Sequence, residues 1–428
     1  MNDKKYYKII TFGCQMNRSD SERVSAVLEH LGYHFCDDVS NCDIVVINAC
    51  SVRQPGIDRI WGYIRNFDVL NEKKKKLTTV LTGCLLEKDK KKLSERVDLT
   101  FNIKNLSELE EFLHGERSVG DDYFDVIPNH SSKALASVPI MTGCDNYCSY
   151  CAVPYVRGRE LSRSIKKVLN EIKKLAQDGY VEIILLGQNV NSYKPDDLES
   201  FNKMNPFKHS FAKLLWEVNQ INGLERISFQ SAHPKDMDDE VVEALALPKM
   251  LNYVHLALQS ADDTVLKNMN RGYTSSEYET IIEKINKVRP GICLGTDIIV
   301  GFPGETAEQF ENTYNFYKKM NFDICFTAMY SPRNGTVASR MEDDVPRDDK
   351  KLRWKRIQEM MEKITYKKNQ QYDGQEVSVL VDKIDNGVCE GNSREMKRVR
   401  FKGSDLLLGK IVTVKVVKAE MWILEGII

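Results

Sequence analysis

Hydrophobic and polar residues alternate in a strand-then-helix pattern over the N-terminal quarter of the chain. Short continuous apolar runs, which are typical of buried parallel strands, occur at 6–12, 43–48, 77–82 and, more weakly, 99–103. An amphipathic stretch that opens at Ser19 and closes at Gly32 predicts a helix between the first two runs. This pattern predicts an α/β fold with an open, doubly wound parallel sheet over residues 1–114.

The same alternation returns after a polar, irregular segment at 115–135, which we interpret as a linker. Over residues 136–366 the predicted strands are 136–141, 182–186, 226–229, 253–258, 293–300 and 324–329. Six strand–helix units are too few for an eight-fold barrel, so the pattern predicts an incomplete (β/α)6 barrel. Residues 367–428 instead contain strands rich in β-branched residues and separated by turns, which predict a small antiparallel β-barrel.

Composition narrows the class of protein. Of the 428 residues, 42% are hydrophobic and 29% are charged, which is typical of a globular protein. No apolar run reaches the roughly 20 residues of a membrane span, and the N-terminus has no secretory pattern. The net charge of -1 excludes a globally basic nucleic-acid binder and leaves room only for a local basic groove.

Eleven cysteines in a chain without an export signal favour metal or redox chemistry over structural disulfides. The densest group is the CxxxCxxC motif of Cys144, Cys148 and Cys151, just after the first predicted barrel strand. Three thiolates at this spacing can hold three irons of a cubane cluster and leave the fourth iron open. Zinc is the alternative, but structural zinc needs four ligands and no fourth Cys or His lies nearby in the sequence.

A second group of cysteines emerges from the predicted topology. Cys14, Cys50 and Cys84 each follow a strand, in three successive strand–helix units. Because the carboxyl ends of parallel strands meet at one edge of a sheet, we expect these thiols to form a second metal site. Three unrelated buried cysteines are the alternative interpretation.

The CxxxCxxC spacing after a first barrel strand resembles the radical S-adenosylmethionine (SAM) superfamily. Further segments, spread from end to end of the chain, resemble its methylthiotransferase family: Thr11-Phe-Gly-Cys14-Gln-Met-Asn17, Asn48-Ala-Cys50, Gly83-Cys84, Leu185-Leu-Gly-Gln-Asn189, His255-Leu-Ala-Leu-Gln259-Ser260 and Thr296-Asp-Ile-Ile-Val-Gly-Phe-Pro-Gly304. The Gln-Met-Asn that follows Cys14 is similar to the signature of the tRNA-modifying branch.

The resemblance implies two iron–sulfur clusters and S-adenosylmethionine as cofactors. Cys144, Cys148 and Cys151 would hold the radical-generating 4Fe-4S cluster, and Cys14, Cys50 and Cys84 would hold an auxiliary cluster. No side chain receives a catalytic role, because the reactive radical is carried by the cofactor. The residues implied to bind the cofactor are Tyr150, Gly187, Gln188, Asn189, Ser231, Gln259, Arg271 and Asp297.

The implied reaction adds sulfur and a methyl group to carbon 2 of N6-isopentenyladenosine at position 37 of tRNA. The same chemistry on threonylcarbamoyladenosine in tRNA, or on an aspartate of a ribosomal protein, is an alternative that the Gln15-Met16-Asn17 signature disfavours. A non-catalytic, zinc-containing RNA-binding protein is an alternative of another class. The implied partners are a tRNA anticodon stem-loop, an electron donor such as flavodoxin or ferredoxin, and a sulfur- or cluster-delivery protein. We expect a cytoplasmic monomer that does not engage a membrane.

The C-terminal barrel resembles the TRAM domain, an RNA-binding module. Its segment 394–402 interleaves five cations with one aromatic, a pattern that predicts phosphate contacts with a base stacked on the ring. A solvated edge strand is the alternative. Together with a basic stretch after the CxxxCxxC motif, the predicted RNA-binding residues are Arg157, Arg159, Tyr372, Arg394, Lys397, Arg398, Arg400, Phe401 and Lys402.

Overall fold

The computed structural model describes residues 4–51, 54–73, 77–115 and 123–428. Its strands are β1 (Lys5–Thr11), β2 (Tyr33–Phe35), β3 (Ile44–Cys50), β4 (Thr78–Cys84), β5 (Leu99–Thr100), β6 (Leu135–Pro139), β7 (Met141–Thr142), β8 (Leu161–Ser162), β9 (Glu182–Leu186), β10 (Arg226–Phe229), β11 (Tyr253–His255), β12 (Cys293–Val300), β13 (Ile324–Met329), β14 (Glu376–Asp385), β15 (Val388–Ser393), β16 (Arg398–Lys402), β17 (Ile411–Ala419) and β18 (Leu424–Ile427). Its α-helices are α1 (Gln15–His30), α2 (Gln54–Lys73), α3 (Glu87–Ser94), α4 (Leu106–His114), α5 (Val153–Arg157), α6 (Ile165–Gln177), α7 (Ser210–Asn219), α8 (Asp239–Ala244), α9 (Asp263–Asn268), α10 (Ser275–Val288), α11 (Ala307–Met320) and α12 (Arg347–Asn369).

Strands β1 to β5 form a parallel sheet in the order β2-β1-β3-β4-β5, which confirms the predicted open parallel sheet. The order reverses between β1 and β3, and ligands of open α/β sheets bind beyond the strand ends at such a reversal. The edge strand β2 was not predicted. It is short and two of its three side chains are exposed, so it carries little of the apolar pattern that marks a strand.

Helix α1 begins one turn earlier than the sequence pattern predicts. Cys14 is its N-cap, and the side chain of Asn17 accepts a hydrogen bond from the Cys14 backbone N–H. The polar segment at Ser19 is therefore inside the helix and not at its start. As a consequence Asn17, Asp20 and Arg23, spaced three residues apart, all lie on the fully buried face of α1.

Six parallel strands, β6 and β9 to β13, form the central barrel and confirm the predicted incomplete barrel. They are arranged as two three-stranded sheets, β6-β9-β10 and β11-β12-β13. Two isolated parallel bridges join these sheets: Ile227 of β10 pairs with Met250, just before β11, and Ala232, after β10, pairs with Leu256, just after β11. The largest apolar cluster of the protein fills the space between these strands and the surrounding helices. The fourth predicted strand is shorter than expected, because β11 ends at His255.

The predicted linker is partly a packing element. Residues 116–122 of this segment lie outside the described residues, but Tyr123 and Phe124 are buried. Both belong to an apolar cluster that also contains residues of α1 and the N-terminal sheet together with Ile184 and Leu186 of β9. The N-terminal sheet and the central barrel therefore share one hydrophobic core.

Strands β14 to β18 close into a small barrel in the order β14-β15-β16-β18-β17, which confirms the predicted C-terminal barrel. All of its pairings are antiparallel except the parallel pairing of β16 with β18. Helix α12 leads into this barrel and runs across the boundary that the sequence predicts at residue 367. Among the described residues, no helix has both the length and the apolar character needed to cross a bilayer.

Arg226 of β10 joins the central barrel to the C-terminal barrel. Its side chain is only 1% exposed, and its guanidinium donates to the backbone oxygens of Asn392 at 2.9 Å and Ser378 at 2.7 Å. Glu182 of β9 lies 3.6 Å away, and burial raises the pKa of this carboxyl. One buried cation thus bonds groups of both barrels and contributes to their docking.

We predict that Arg226→Met lowers the free energy of unfolding by about 3–5 kcal/mol, because it leaves the buried Glu182 without its cation. Chemical denaturation would measure the loss, and limited proteolysis would show cleavage between the two barrels. Lys355→Met is the matched control, since Lys355 belongs to an exposed ion pair with Glu359 that contributes little. Equal stability of both variants would contradict the prediction.

Candidate functional site

The structure brings Cys14, Cys50 and Cys84 together at the carboxyl edge of the N-terminal sheet. Cys50 and Cys84 are register partners at the ends of β3 and β4. Cys14 caps α1 beside them, and a Cβ built on Gly13 would lie 3.0 Å from the Cys50 Cβ. Gly13 also has a φ of 116°, so the close approach of this loop requires glycine.

Asn17 is the side chain that ties this triad together. Its Oδ1 accepts hydrogen bonds from the Cys14 backbone N–H at 3.4 Å and from the Cys14 thiol at 3.5 Å. Its Nδ2 lies 3.9 Å from the Cys84 Sγ and donates to Asn48 Oδ1 at 3.1 Å. One fully buried amide therefore spans the sulfurs of Cys14 and Cys84.

On its other side, Cys84 faces a buried charge cluster. The Nε of Arg157 donates to the Cys84 Sγ at 2.9 Å, and the same guanidinium pairs with Asp20, which also accepts a hydrogen bond from the Tyr123 hydroxyl at 2.6 Å. Burial raises the pKa of the Cys84 thiol to about 11, while the charge of Arg157 acts in the opposite direction.

This placement overturns the prediction that Arg157 contacts RNA phosphates. Its side chain is 3% exposed and is fully engaged by Asp20 and Cys84, so it has no route to a polyanion. Arg159, two residues further on, is 77% exposed and pairs with Asp145 at 2.7 Å. Of the two arginines, only Arg159 is accessible to a nucleic acid.

The second triad lies on the loop after β7, at the mouth of the central barrel. Cys144 and Cys148 are buried and Cys151 is half-buried. Burial raises the pKa of the Cys144 thiol to about 11 and that of Cys151 to about 12, and Cys148 adds to both effects. Metal binding at either triad must therefore displace thiol protons, so the affinity for metal decreases as the pH is lowered.

The loop that carries this triad is held from several directions. Gly143 has a φ of 84°, and a Cβ there would lie 1.9 Å from the Arg159 backbone oxygen. The Gly143 N–H donates to Gln188 Oε1 at 2.5 Å, and the Ser149 hydroxyl donates to the Asn268 backbone oxygen at 2.8 Å. Gln188, a predicted cofactor-binding residue, thus positions the cysteine loop.

Arg271 and Tyr150, also predicted to bind cofactor, lie against this triad. The buried guanidinium of Arg271 has its Nη1 3.3 Å from the Cys148 Sγ and 3.4 Å from the Tyr150 hydroxyl. Its Nη2 donates to the Ala257 backbone oxygen at 2.9 Å. Arg271 therefore places a buried positive charge beside a sulfur of the second triad.

Three of the buried polar atoms that have no hydrogen-bond partner within the part of the chain that the structure describes follow successive strands at the barrel mouth. They are Asn189 Oδ1, His233 Nε2 and Gln259 Oε1, which follow β9, β10 and β11 respectively. Buried polar atoms are nearly always bonded, so this set requires a polar ligand or ordered water. The arrangement fits the amino, carboxylate and hydroxyl groups of S-adenosylmethionine.

The other predicted cofactor-binding residues occupy different surroundings. Gly187 packs so closely that a Cβ there would lie 2.6 Å from the Met141 Cγ. Ser231 is exposed at the mouth with a φ of 67°, a left-handed conformation that is uncommon for serine. Asp297 is engaged by His255, whose Nε2 lies 2.8 Å from its Oδ2.

Sequence reasoning assigned no role to Asp20, Tyr123 or His233. Asp20 occupies the apolar register of α1, which was a usable signal for a buried functional carboxylate. Tyr123 follows a polar, irregular segment, so the sequence pattern did not indicate that it is buried. His233 is identified by its burial and by its Nε2, which has no partner in the described part of the chain; the sequence reveals neither property.

The chemistry of the donors fits iron–sulfur clusters. No three His, Cys, Asp or Glu side chains among the described residues are placed to surround a single metal ion. In a cubane cluster each thiolate binds a different iron, so the sulfurs of a triad are not required to share one ion. Both triads consist only of cysteines, the ligands that such clusters prefer.

The predicted RNA-binding strand β16 alternates between the core and the surface of the C-terminal barrel. Phe401 is 3% exposed and packs in the barrel core, so the prediction that it stacks on a base is wrong. Arg398 and Arg400 face outward, and both pair with Glu390. Lys402 is exposed at the end of the strand.

Three further predicted RNA-binding residues contact the central barrel; Lys397 is buried, and Arg394 and Tyr372 are half-buried. Arg394 donates to two backbone oxygens of that barrel at 2.7 Å. The Lys397 Nζ lies 3.3 Å from Asp323 Oδ1, and the Tyr372 hydroxyl lies 3.7 Å from the Cys293 Sγ. These side chains dock the C-terminal barrel, so the prediction that they contact RNA is corrected.

The fold is similar to that of known proteins. The family described as the Radical SAM superfamily matches residues 138–317, and Uncharacterized protein family UPF0004 matches residues 6–102. The chain is similar to the radical S-adenosylmethionine methyltransferase TsrM from Kitasatospora setae, solved with cobalamin and a 4Fe-4S cluster, with a TM-score of 0.55 and 14% identity over 90% of this chain and 77% of that one. Residues 138–317, which include the barrel and its cysteine motif, thus form a Radical SAM superfamily domain.

Curated relatives extend the similarity over nearly the whole chain. The tRNA-2-methylthio-N(6)-dimethylallyladenosine synthase of Clostridium novyi is 39% identical over 99% of this chain and 96% of its own length. That of Clostridium botulinum is 40% identical over 98% of this chain and 96% of its own length. The chain belongs to the tRNA-2-methylthio-N(6)-dimethylallyladenosine synthase family.

We predict that His233 makes stability depend on pH. Burial, with help from Arg271 and Lys235, lowers the pKa of His233 from 6.5 to about 2, so the folded protein keeps it neutral. The unfolded chain binds this proton near pH 6.5, so the stabilisation is complete above that pH and decreases by about 1.4 kcal/mol per unit as the pH falls further.

The measurement is urea denaturation of the metal-free chain between pH 7.5 and pH 5. His233→Gln should show a shallower loss of stability than the wild type over this interval. His114→Gln serves as the control, because His114 is exposed on α4 and its variant should follow the wild-type curve. Parallel curves for wild type and His233→Gln would refute the prediction.

Proposed function

We propose that this chain is a radical SAM methylthiotransferase that replaces the hydrogen on carbon 2 of N6-isopentenyladenosine, at position 37 of tRNA, with a methylthio group. The observation that carries this proposal is the presence of two separate cysteine triads, each at the carboxyl edge of its own parallel sheet. Relatives named for this product match nearly the whole chain at 39–40% identity.

Two iron–sulfur clusters and S-adenosylmethionine are the cofactors of the proposed reaction. Three ligands per cluster leave one iron open for a further ligand. When bound, the barrel cluster and S-adenosylmethionine supply the radical, and the auxiliary cluster supplies the sulfur. The chain's own residues bind and orient these groups and exclude water from them.

At the barrel mouth, Cys144, Cys148 and Cys151 hold the cluster, and Arg271 offsets negative charge beside Cys148. Asn189 and Gln259 offer acceptor oxygens that suit the ammonium or hydroxyl groups of S-adenosylmethionine.

His233 contributes a donor to this site. Its Nδ1 accepts a hydrogen bond from the Lys235 backbone N–H at 3.2 Å, and the ring is neutral, so its single proton is on Nε2. That N–H is buried and has no partner among the described residues. It suits the carboxylate of S-adenosylmethionine.

For the substrate, a nucleotide in a single-stranded loop can be delivered to the barrel mouth without much unpairing. Arg159, Arg400 and Lys402 are the members of the predicted RNA-binding set that remain exposed, and we assign phosphate contacts to them. The further partners we propose are a flavodoxin- or ferredoxin-type electron donor and a sulfur- or cluster-delivery protein, and we propose that the enzyme acts as a monomer in the cytoplasm.

Two alternatives receive less support. The relatives carry the name of the dimethylallyl product, not of the threonylcarbamoyl or ribosomal-protein product. A zinc-containing binding protein does not account for a second group of three cysteines, or for buried polar atoms at the barrel mouth that lack a partner among the described residues. Such a protein would be colourless after anaerobic purification, whereas clusters absorb visible light.

We predict that the anaerobically reconstituted enzyme, with reductant and S-adenosylmethionine, converts isopentenyladenosine of tRNA to its methylthio derivative. Nucleoside mass spectrometry would detect the replacement of one hydrogen by a methylthio group. The Cys14/Cys50/Cys84→Ala variant should lose this product and still form 5′-deoxyadenosine, because its barrel triad is intact.

The matched control is Cys36→Ala/Cys42→Ala, which removes two partly buried cysteines that lie between β2 and β3 and belong to neither triad. This control should retain methylthiolation. If the wild type formed 5′-deoxyadenosine and left isopentenyladenosine unchanged, the proposed substrate would be wrong. If the wild type formed neither product, the proposed reaction would be wrong.

A further inference from the structure

Arg157 connects the two cysteine triads through a short helix. Helix α5 begins at Val153, whose backbone N–H donates to the Cys151 Sγ at 3.4 Å, and it ends at Arg157, whose Nε donates to the Cys84 Sγ at 2.9 Å. A single short helix therefore contacts one sulfur of each triad, at its opposite ends.

The guanidinium of Arg157 is held in one orientation. Its ion pair with Asp20 is buried, since the two side chains are 3% and 0% exposed. Its backbone oxygen accepts a hydrogen bond from the Lys104 Nζ at 2.7 Å, which also fixes the end of α5. Because both ends of the residue are bonded, the Nε–H can point only toward Cys84.

Two buried arginines and one buried acid lie around Tyr123, next to this contact. Arg157 and Arg23 are both buried, and the Arg23 guanidinium lies 4.8 Å from the centre of the Tyr123 ring. Asp20 is the acid that pairs with Arg157, and the Arg23 Nε and Nη2 have no partner among the described residues. The buried cation that contacts Cys84 directly is Arg157, whose Nε–H would give a charge-assisted hydrogen bond to a negatively charged sulfur there.

We propose that Arg157 is a positioning residue of the auxiliary cluster: its guanidinium orients the Cys84 sulfur and stabilises added negative charge on the cluster that this sulfur binds. Hydrogen bonds to cluster sulfurs and nearby charge set reduction potentials, so Arg157 makes the auxiliary cluster easier to reduce. The inference rests on the proposed function, because it requires a cluster at Cys14, Cys50 and Cys84.

The test isolates each cluster in turn. A Cys144/Cys148/Cys151→Ala background retains only the auxiliary triad, and a Cys14/Cys50/Cys84→Ala background retains only the barrel triad. Iron and sulfide content and the midpoint potential, from an anaerobic redox titration followed by electron paramagnetic resonance, are measured in both. Arg157→Gln should shift the potential of the auxiliary cluster to more negative values and leave that of the barrel cluster unchanged.

Three further variants separate this role from a merely structural one. Arg157→Lys retains the charge without the fixed Nε–H, so its shift should be smaller than that of Arg157→Gln. Asp20→Asn/Arg157→Gln removes both buried charges and avoids an unpaired carboxylate, so it should fold and still show the negative shift. Arg159→Gln alters an exposed arginine of the same segment and should not change the potential.

The outcomes distinguish the two proposals. One outcome is that the auxiliary-only background binds iron, but neither Arg157→Gln nor the double variant changes the potential of that cluster. In that case the proposed role of Arg157 is wrong and the proposed function stands. If both variants shift the potentials of the two clusters equally, Arg157 acts through the general fold, and the inference is also wrong. If the auxiliary-only background binds no iron while the barrel-only background does, the two-cluster function itself is overturned, and this inference with it.

Discussion

The buried ion pair between Arg157 and Asp20 is the interaction on which the arrangement of the two cysteine triads depends. It joins α5 of the central barrel to α1 of the N-terminal sheet, and neither group is accessible to water. Separating such a pair would leave an uncompensated charge in an apolar interior, a cost of several kcal/mol. The shared apolar cluster around Tyr123 and Phe124 supports the same interface, so the two sheets cannot slide independently.

The two triads are positioned in the same way by the topology of parallel strands, but their surroundings differ. Both lie at carboxyl strand ends, where loops converge. Around Cys84 the polar side chains of Asn17, Arg157 and Asp20 are hydrogen-bonded to neighbouring groups. The cysteine sulfurs are therefore the groups at this edge that would bind a cluster. At the barrel mouth, by contrast, the buried side-chain oxygens of Asn189 and Gln259 have no partner among the described residues, so that site suits a polar ligand as well as a cluster.

The C-terminal barrel shows how a basic segment can serve assembly. Arg394 and Lys397 bond the central barrel, and Arg226 of the central barrel bonds the C-terminal barrel in return. These reciprocal contacts engage two of the five cations of segment 394–402, which therefore do not face solvent as a phosphate-binding strand would require. They orient β16 so that Arg400 and Lys402 are left on its outer face.

The sequence by itself determined the layered α/β architecture, the six-stranded barrel and the grouping of six cysteines. The period of the hydrophobic residues predicts the strands and helices, and the position of each cysteine relative to a strand predicts which cysteines lie together. It did not determine the surroundings of individual charged residues. Arg157 and Arg159 are two residues apart and look alike in sequence, yet one is buried against Cys84 and the other is exposed. Phe401 looks available to stack on a base but fills a barrel core. Only the tertiary structure decided these roles, since burial and pairing depend on which distant elements pack against a side chain.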